Sequence, residues 1–205
     1  MPIGIIDYGG GNLRSVTNAV KSLGIDAILV DKPEDAAEVN AIIFPGQGAF
    51  HDCASALEDR GLFSTLQEWI AADKPYFGIC VGYQLLFESS EESPGVAGFG
   101  SFRGEVVKFK DTSLKIPHMG WNEIRLSDED DPLWAGLPEH PHVYFVHSFY
   151  PEPEDTSIIS STAGYGIEFA ASVRKGNVVA TQFHPEKSQA VGLQLLKNFA
   201  ASLES

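Results

Sequence analysis

The chain has 205 residues, of which 43% are hydrophobic, and carries a formal net charge of −14. This size and apolar content predict one domain over residues 1–205, and the negative charge argues against nucleic acid or an anionic membrane as a partner. Two cysteines make no disulfide framework, and neither a signal peptide nor a membrane span is recognisable, so we expect a cytoplasmic location.

The first half of the chain alternates between strand and helix patterns. Asn12 is predicted to cap the first helix and Gly24 to end it. In chain order the predicted elements are a strand over 3–6, the helix between Asn12 and Gly24, strands over 25–30 and 41–44, helical periodicity over 50–72 broken at Gly61, a strand over 76–79 and a helix-like stretch over 83–88. The strand over 41–44 is expected to end at Pro45. This rhythm predicts an α/β fold with a mainly parallel central sheet flanked by helices.

The second half is richer in strand patterns. Strand-like runs cover residues 98–109, 120–126, 144–150, 158–162 and 167–183, with a hairpin turn at 175–177 inside the last run. Ser188 is predicted to begin a closing helix with Val191, Leu195 and Phe199 along one face. The sequence therefore predicts an added antiparallel strand section within the same domain.

Two segments carry the chemistry. Gly78-Ile79-Cys80-Val81-Gly82 follows an apolar run and precedes the helix-like stretch, which is the strand–turn–helix context of a nucleophile elbow with cysteine as the nucleophile. Flanking glycines are expected because neighbouring backbone approaches such a turn too closely for a Cβ. In Phe183-His184-Pro185-Glu186, His184 is predicted to accept the thiol proton and Glu186 to orient the imidazole.

The remaining cysteine and several histidines lack such patterns. Cys53 fits a small buried apolar residue. His51, His140 and His142 are expected to be structural or surface residues. The acidic clusters are interpreted as solvated loops.

Further motifs extend along almost the whole chain. They are Asp7-Tyr8-Gly9-Gly10-Gly11-Asn12-Leu13, Pro45-Gly46-Gln47-Gly48-Ala49-Phe50, Pro117-His118-Met119-Gly120-Trp121-Asn122, Tyr144-Phe145-Val146-His147-Ser148, and Gln182 to Ser188. With the cysteine motif, the sequence resembles the class I, triad-type glutamine amidotransferases, and among them the glutaminase subunits of imidazole glycerol phosphate synthase. The resemblance implies a flavodoxin-like α/β fold and no cofactor or metal. Gln47, Val81 and Tyr83 depart from the commoner family pattern.

The resemblance also implies roles for individual residues. Cys80, His184 and Glu186 would hydrolyse L-glutamine to glutamate and ammonia. The N–H groups of Val81 and Gln47 would stabilise the oxyanion, and a shift in the Gln47 loop could switch the enzyme. Glutamine would be bound by Gly48, Gln84, Glu92 and Ser148, with Glu91 as an alternative to Glu92.

In the family that the sequence resembles, the ammonia released from glutamine is used by a second protein. The resemblance implies a heterodimer with a cyclase subunit, a (β/α)8 barrel that closes an imidazole ring in histidine biosynthesis, and glutamine turnover that is feeble without it. The implied docking residues are Asn12, His118, Met119, Trp121, Tyr144 and Lys187. Trp and Tyr are favoured interface anchors, although Trp121 and Tyr144 also fit core aromatics and Lys187 could neutralise Glu186.

Three alternatives remain open on the sequence. Another amidotransferase subunit, such as one for pyridoxal phosphate or anthranilate synthesis, would keep the triad and deliver ammonia elsewhere. A cysteine peptidase or esterase could use the same elbow without a partner. A small-molecule binding or redox-sensing module could use the glycine cluster after the first strand as a phosphate-binding loop.

Overall fold

The computed structural model describes residues 2–110 and 113–204. Within them the α-helices are α1 (Leu13–Ser22), α2 (Phe50–Asp59), α3 (Leu62–Ala71), α4 (Val81–Gln84) and α5 (Gln189–Ala201). The strands are β1 (Ile3–Ile6), β2 (Ala27–Val30), β3 (Ala41–Gly46), β4 (Tyr76–Cys80), β5 (Ser89–Ser90), β6 (Gly104–Lys108), β7 (His118–Leu126), β8 (His142–His147), β9 (Phe149–Pro153), β10 (Ile159–Tyr165), β11 (Ile167–Lys175) and β12 (Val178–Thr181).

One large sheet organises the described residues. Its nine strands run in the order β2-β1-β3-β4-β12-β11-β10-β7-β8. The first five are parallel to their neighbours, and the last four pair antiparallel. A second sheet of three strands has the order β5-β6-β9. The predicted α/β fold with an added antiparallel section is confirmed, and the antiparallel strands continue the main sheet.

Burial explains why the two halves have different sequence patterns. Every residue of β1, β3, β4 and β12 is buried, as expected for parallel strands that are covered on both faces. Strand β7 instead buries His118 and Ile124 and exposes Met119 and Trp121. The antiparallel part therefore offers one face to solvent.

Several predicted boundaries were wrong, each because a tertiary contact overrides the local pattern. Strand β3 runs through Pro45, which pairs with Ile79 in the parallel register. The helix after Cys80 ends at Gln84, because the carbonyls of Leu85 and Leu86 accept hydrogen bonds from residues 99 and 102. Residues 99 and 102 lie in the run that was predicted as a strand over 98–109, but the strand within that run, β6, covers only 104–108.

Three further expectations also need correction. The run over 144–150 is divided between β8 and β9, which belong to different sheets. Asn12 precedes α1, but its side chain makes no capping hydrogen bond to that helix and instead reaches Glu186. Strand β12 stops at Thr181, before the predicted end of its run.

The topology brings four loops to one edge of the sheet. Strand β4 lies between β3 and β12, with Gly46 opposite Cys80 and Thr181 opposite Ile79. The segments that follow β1, β3, β4 and β12 therefore leave the carboxyl edge together, where sites of parallel sheets form. Throughout residues 2–110 and 113–204, none of the helices has both the length and the apolar content that crossing a bilayer requires.

Candidate active site

Cys80 lies at a strained turn. It has φ 54° and ψ −105°, a conformation that costs about 1–3 kcal/mol for a residue with a Cβ. The neighbouring backbone leaves no room at the flanking glycines: a Cβ on Gly78 would lie 2.6 Å from the Gly82 carbonyl oxygen, and one on Gly82 would lie 2.4 Å from that of Phe44. The glycines thus allow β3, β4 and α4 to close around the nucleophile, as the sequence predicted.

His184 and Glu186 form a buried pair. His184 Nδ1 lies 2.8 Å from Glu186 Oε1, and both side chains are almost fully buried. Because a carboxylate only accepts, Nδ1 carries the proton and Nε2 of the neutral ring is free to take one. Among the described residues, Nε2 has no hydrogen-bond partner. Asn12 Nδ2 donates to the same Glu186 oxygen at 3.0 Å.

Charge stabilises the protonated imidazole. Burial alone would lower the pKa of His184, but the charge of Cys80, together with the hydrogen bond and charge of Glu186, outweighs it and raises the pKa to about 9. Burial likewise raises the pKa of Glu186, yet the hydrogen bond and charge of His184, with the Asn12 hydrogen bond, lower it overall. The site therefore favours a protonated His184 imidazole beside the Glu186 carboxylate.

The backbone around His184 is tied to strand β8. His184 N donates to the Tyr144 carbonyl at 2.9 Å, and Ser188 Oγ donates to the His184 carbonyl at 2.7 Å. Tyr144 N donates in turn to Ser188 Oγ at 2.9 Å. Pro185 begins a short 3₁₀ turn, Pro185–Lys187, which carries Glu186 back to the ring.

A cavity of about 400 Å³ opens beside the nucleophile. Its walls include Cys80, His184, both predicted oxyanion residues and all four predicted glutamine-binding residues. Its lining comprises Gln47, Gly48, Cys80, Val81, Gln84, Glu92, Pro117, Val146, His147, Ser148, Phe149 and His184. Glu186, the third residue of the predicted triad, does not line the cavity and contacts His184 Nδ1 on the side of the ring away from it.

The two predicted oxyanion donors differ in availability. Val81 is the first residue of α4, so its N–H has no partner within the helix. Gln47 N donates to the hydroxyl of Tyr8 at 2.9 Å. In this conformation the second donor is already occupied.

The structure separates the two candidate glutamates. Glu92 lines the cavity, and its Oε2 accepts a hydrogen bond from Phe50 N at 2.8 Å, at the start of α2. Glu91 accepts from Lys108 N and lies 3.5 Å from Lys110 Nζ, and it does not line the cavity. Geometry favours Glu92.

Gln182 and His147 were missed as site residues by the sequence reasoning. Gln182 Nε2 lies 3.6 Å from Cys80 Sγ, and Gln182 Oε1 accepts from Gln84 Nε2 at 3.1 Å. His147 lines the cavity and contacts buried His118, with 3.0 Å between Nε2 and Nδ1. Both positions stand in the quoted motifs, but these partners are 29 to 102 residues away, so no local spacing indicates the contacts.

The predicted docking residues do not all offer their side chains to solvent. Met119 is 62% exposed and Trp121 47%, whereas His118 is 4% exposed. Trp121 pairs with half-buried Tyr144 across β7 and β8, and Lys187 Nζ lies 5.8 Å from the Tyr144 ring centroid. The His118 ring is thus an internal group, and Asn12 is engaged with Glu186.

The residues set aside in the sequence are accounted for. Cys53 is buried, as predicted. Burial is the main cause that raises the pKa of this thiol to about 12. His140 is a surface residue whose ring lies 2.8 Å from Glu123, and His51 and His142 are exposed.

Solved structures share the fold of this chain, and a family model defines its class. A glutamine amidotransferase crystal structure superposes with a TM-score of 0.78 over 100% of both chains at 20% identity. The PurLQS structure from Thermotoga maritima gives 0.75 over 98% of this chain and 99% of that one, also at 20% identity. At such identities the likeness shows the fold. The family model described as Glutamine amidotransferase class-I matches residues 4–203.

Curated relatives are much more similar in sequence. The imidazole glycerol phosphate synthase subunit HisH of Bacillus cereus is 46% identical, covering 99% of this chain and 96% of its own. That of Acinetobacter baylyi is 43% identical, with 96% of each chain covered. The chain therefore belongs to the class-I glutamine amidotransferase family and, within it, to the HisH subunits.

Proposed function

We propose that this chain is the glutaminase subunit of an imidazole glycerol phosphate synthase, and that it hydrolyses L-glutamine through Cys80, His184 and Glu186. The observation that carries the proposal is the 2.8 Å pair of His184 and Glu186 at the cavity that also contains the strained Cys80. Family membership favours glutamine over the substrates of a peptidase or esterase, and argues against a pure binding module.

The first half-reaction releases ammonia. Cys80 Sγ, as thiolate, forms a bond to the side-chain amide carbon of glutamine, and the carbonyl electron pair moves onto oxygen. As the tetrahedral intermediate collapses, the carbon–nitrogen bond breaks and His184 Nε2 gives its proton to the departing nitrogen. Ammonia leaves, and a glutamyl thioester remains on Cys80.

The second half-reaction restores the enzyme. His184, now neutral, takes a proton from water, whose oxygen adds to the thioester carbon. Collapse of this second intermediate expels the Cys80 thiolate and yields glutamate. Glu186 keeps the imidazole in the tautomer that presents Nε2 and stabilises the cation.

The cavity can hold the two ends of an amino acid. Glu92 is the carboxylate among its lining residues and is suited to the α-ammonium. Gln84 has committed its amide nitrogen to Phe149 and Gln182, which leaves its oxygen for substrate. Gly48 and the backbone of Ser148 complete the proposed glutamine site.

A partner that consumes the ammonia is part of the proposal. Curated relatives are named as synthase subunits, and we extend that association to this chain as a heterodimer with a (β/α)8-barrel cyclase. Met119 and Trp121, with Tyr144 and Lys187 beside them, would contact the cyclase, and Asn12 would link the contact to Glu186. Ammonia would pass between the subunits without reaching water.

Glutamate release, measured with and without the cyclase and its nucleotide substrate, tests the function. We expect slow release alone, faster release in the complex, and none from Cys80→Ala in either. An electrophilic glutamine analogue should label Cys80 and spare Cys53, because Cys53 is buried with a raised pKa. Glutamate release that persists in Cys80→Ala would contradict the mechanism.

A further inference from the structure

The sulfur of Cys80 has a buried hydrogen-bond donor beside it. Gln182 directly follows β12, which pairs with β4, the strand that ends at Cys80. Gln182 is fully buried, and its Nε2 lies 3.6 Å from Cys80 Sγ, within hydrogen-bond distance for sulfur. Its backbone N–H donates to the Ala171 carbonyl at 2.8 Å, so the position of the residue is fixed by β11.

A second amide, that of Gln84, determines which end of Gln182 faces the sulfur. Gln84 Nε2 donates to the Phe149 carbonyl and to Gln182 Oε1, at 3.1 Å each. A backbone carbonyl only accepts, so Gln84 must turn its nitrogen toward Phe149. That nitrogen in turn needs an oxygen on Gln182, which leaves Gln182 Nε2 to donate to Cys80.

The Phe149 carbonyl that sets this order is held by another donor as well. It lies 2.9 Å from His147 Nδ1, so each of its two lone pairs has a donor. Both Gln84 and His147 are buried. A chain of buried hydrogen bonds therefore leads from the turn between β8 and β9 to the nucleophile, and a backbone carbonyl gives the chain its direction.

We propose that Gln182 is a further catalytic residue, whose side-chain N–H donates to the Cys80 sulfur and stabilises the thiolate. The inference rests on the proposed glutaminase function. A hydrogen bond to a charged form favours that form, so the donor acts at two steps. It acts when the thiol proton moves to His184, and again when the carbon–sulfur bond of the thioester breaks and its electron pair returns to sulfur. Gln84 acts on the sulfur through Gln182, as a positioning residue.

Gln182→Met tests the donor, because it keeps the length of the side chain and removes the N–H. We expect the midpoint of the pH profile for Cys80 alkylation by iodoacetamide to rise by about one pH unit, so that the rate on the acidic side falls about tenfold. Peptide mass spectrometry assigns the label to Cys80. The substitution leaves unchanged the titratable groups that interact with Cys80, among them Tyr8, Cys53 and His184.

Turnover gives a second readout of the same variant. In the complex with the cyclase, kcat/KM for glutamate release should fall about 10- to 100-fold in Gln182→Met. Gln67→Met is the matched control, because Gln67 Nε2 also donates across the fold, to the Phe99 carbonyl at 2.8 Å, and Gln67 lies on α3 outside the cavity. We expect its alkylation profile and its turnover to match the wild type. A loss of stability alone would not move the alkylation midpoint.

Gln182→Glu is a second test if Gln182→Met folds poorly. It keeps the oxygen that accepts from Gln84 and replaces the donor with another acceptor, so the midpoint should rise by at least as much. In the ¹⁵N-labelled wild type, the Gln182 side-chain amide should shift over the pH range in which Cys80 becomes reactive, and an amide that does not shift would contradict the contact.

Failure of this inference can be told apart from failure of the proposed function. A wild type without glutamine turnover, even with the cyclase, refutes the proposed function, and the alkylation profiles still decide the contact between Gln182 and Cys80. Normal turnover in the wild type, with an unmoved alkylation midpoint in folded Gln182→Met and Gln182→Glu, overturns this inference alone.

Discussion

At the scale of single residues, Glu186 belongs to the proposed active site although its side chain does not line the substrate cavity. Its side chain is fully buried, and one oxygen accepts from both His184 and Asn12. The first helix and the segment after the last strand therefore meet at this carboxylate. Its charge is one reason that His184 stays protonated to about pH 9.

Glu186→Gln should lower kcat for glutamate release by about 100- to 10,000-fold. An anion raises the pKa of a neighbouring imidazole because it favours the charged form. Its removal therefore lowers the pKa of His184 from about 9, and the alkaline limb of kcat/KM against pH should move to lower pH. Glu91→Gln is the control, since that carboxylate lies outside the cavity; an unmoved alkaline limb in Glu186→Gln would count against the pair.

At the scale of elements, the elbow depends on close contact between backbones. Gly78→Ala should destabilise the protein by about 1–3 kcal/mol, because its Cβ would lie 2.6 Å from the carbonyl oxygen of Gly82. Urea unfolding measures the loss. Gly164→Ala is the matched control, because no atom lies within 4 Å of its added Cβ, and equal losses in the two variants would contradict the crowding.

The buried histidines of β7 and β8 make a second element-scale prediction. His147 Nδ1 donates to the Phe149 carbonyl, so its Nε2 accepts from His118 Nδ1 when both rings are neutral. Burial lowers the pKa of His118 to about 4 and is the main cause that lowers the pKa of His147 to about 3. The pair is held neutral inside the fold.

Stability should fall as the solution is acidified below about pH 6.5, the ordinary pKa of histidine. The unfolded chain takes up protons there and the folded chain does not, so each histidine contributes at most about 1.4 kcal/mol per pH unit. Urea unfolding of His118→Gln between pH 6.5 and 4 should show a shallower slope. The exposed His142, on the same strand as His147, provides the control as His142→Gln, and an unchanged slope in His118→Gln would contradict the assignment.

Local patterns were sufficient for some elements and not for others. Strands β1 and β4 and the break at Gly61 follow from apolar runs and a glycine that adopts φ 70°. The prediction that the helix after Cys80 continues to residue 88 was wrong, because Phe99 N donates a hydrogen bond to the Leu85 carbonyl. Likewise, His184 and Glu186 stand two residues apart, whereas the Tyr8–Gln47 contact spans 39 residues and leaves no trace in local spacing.

At the scale of the whole molecule, exposed apolar side chains at one end of the main sheet suit a partner. Trp121→Ala should weaken binding of the cyclase by about 10- to 1000-fold, the range typical of a buried aromatic anchor. Calorimetry or surface-based binding measures the loss. Leu29→Ala is the control, because Leu29 is similarly exposed, at 46%, on β2 at the opposite end; equal affinity for Trp121→Ala and wild type would place the cyclase elsewhere.

The position of β12 between β4 and β11 has a consequence for synthesis of the chain. Strand β12, which pairs with β4, is synthesised about a hundred residues after it. During that interval the nascent chain therefore exposes the unpaired, apolar edge of β4. His184 is made later still. A growing chain cannot assemble the proposed triad before His184 and Glu186 have been synthesised, and a chaperone that shields the edge of β4 would have its greatest effect during that interval.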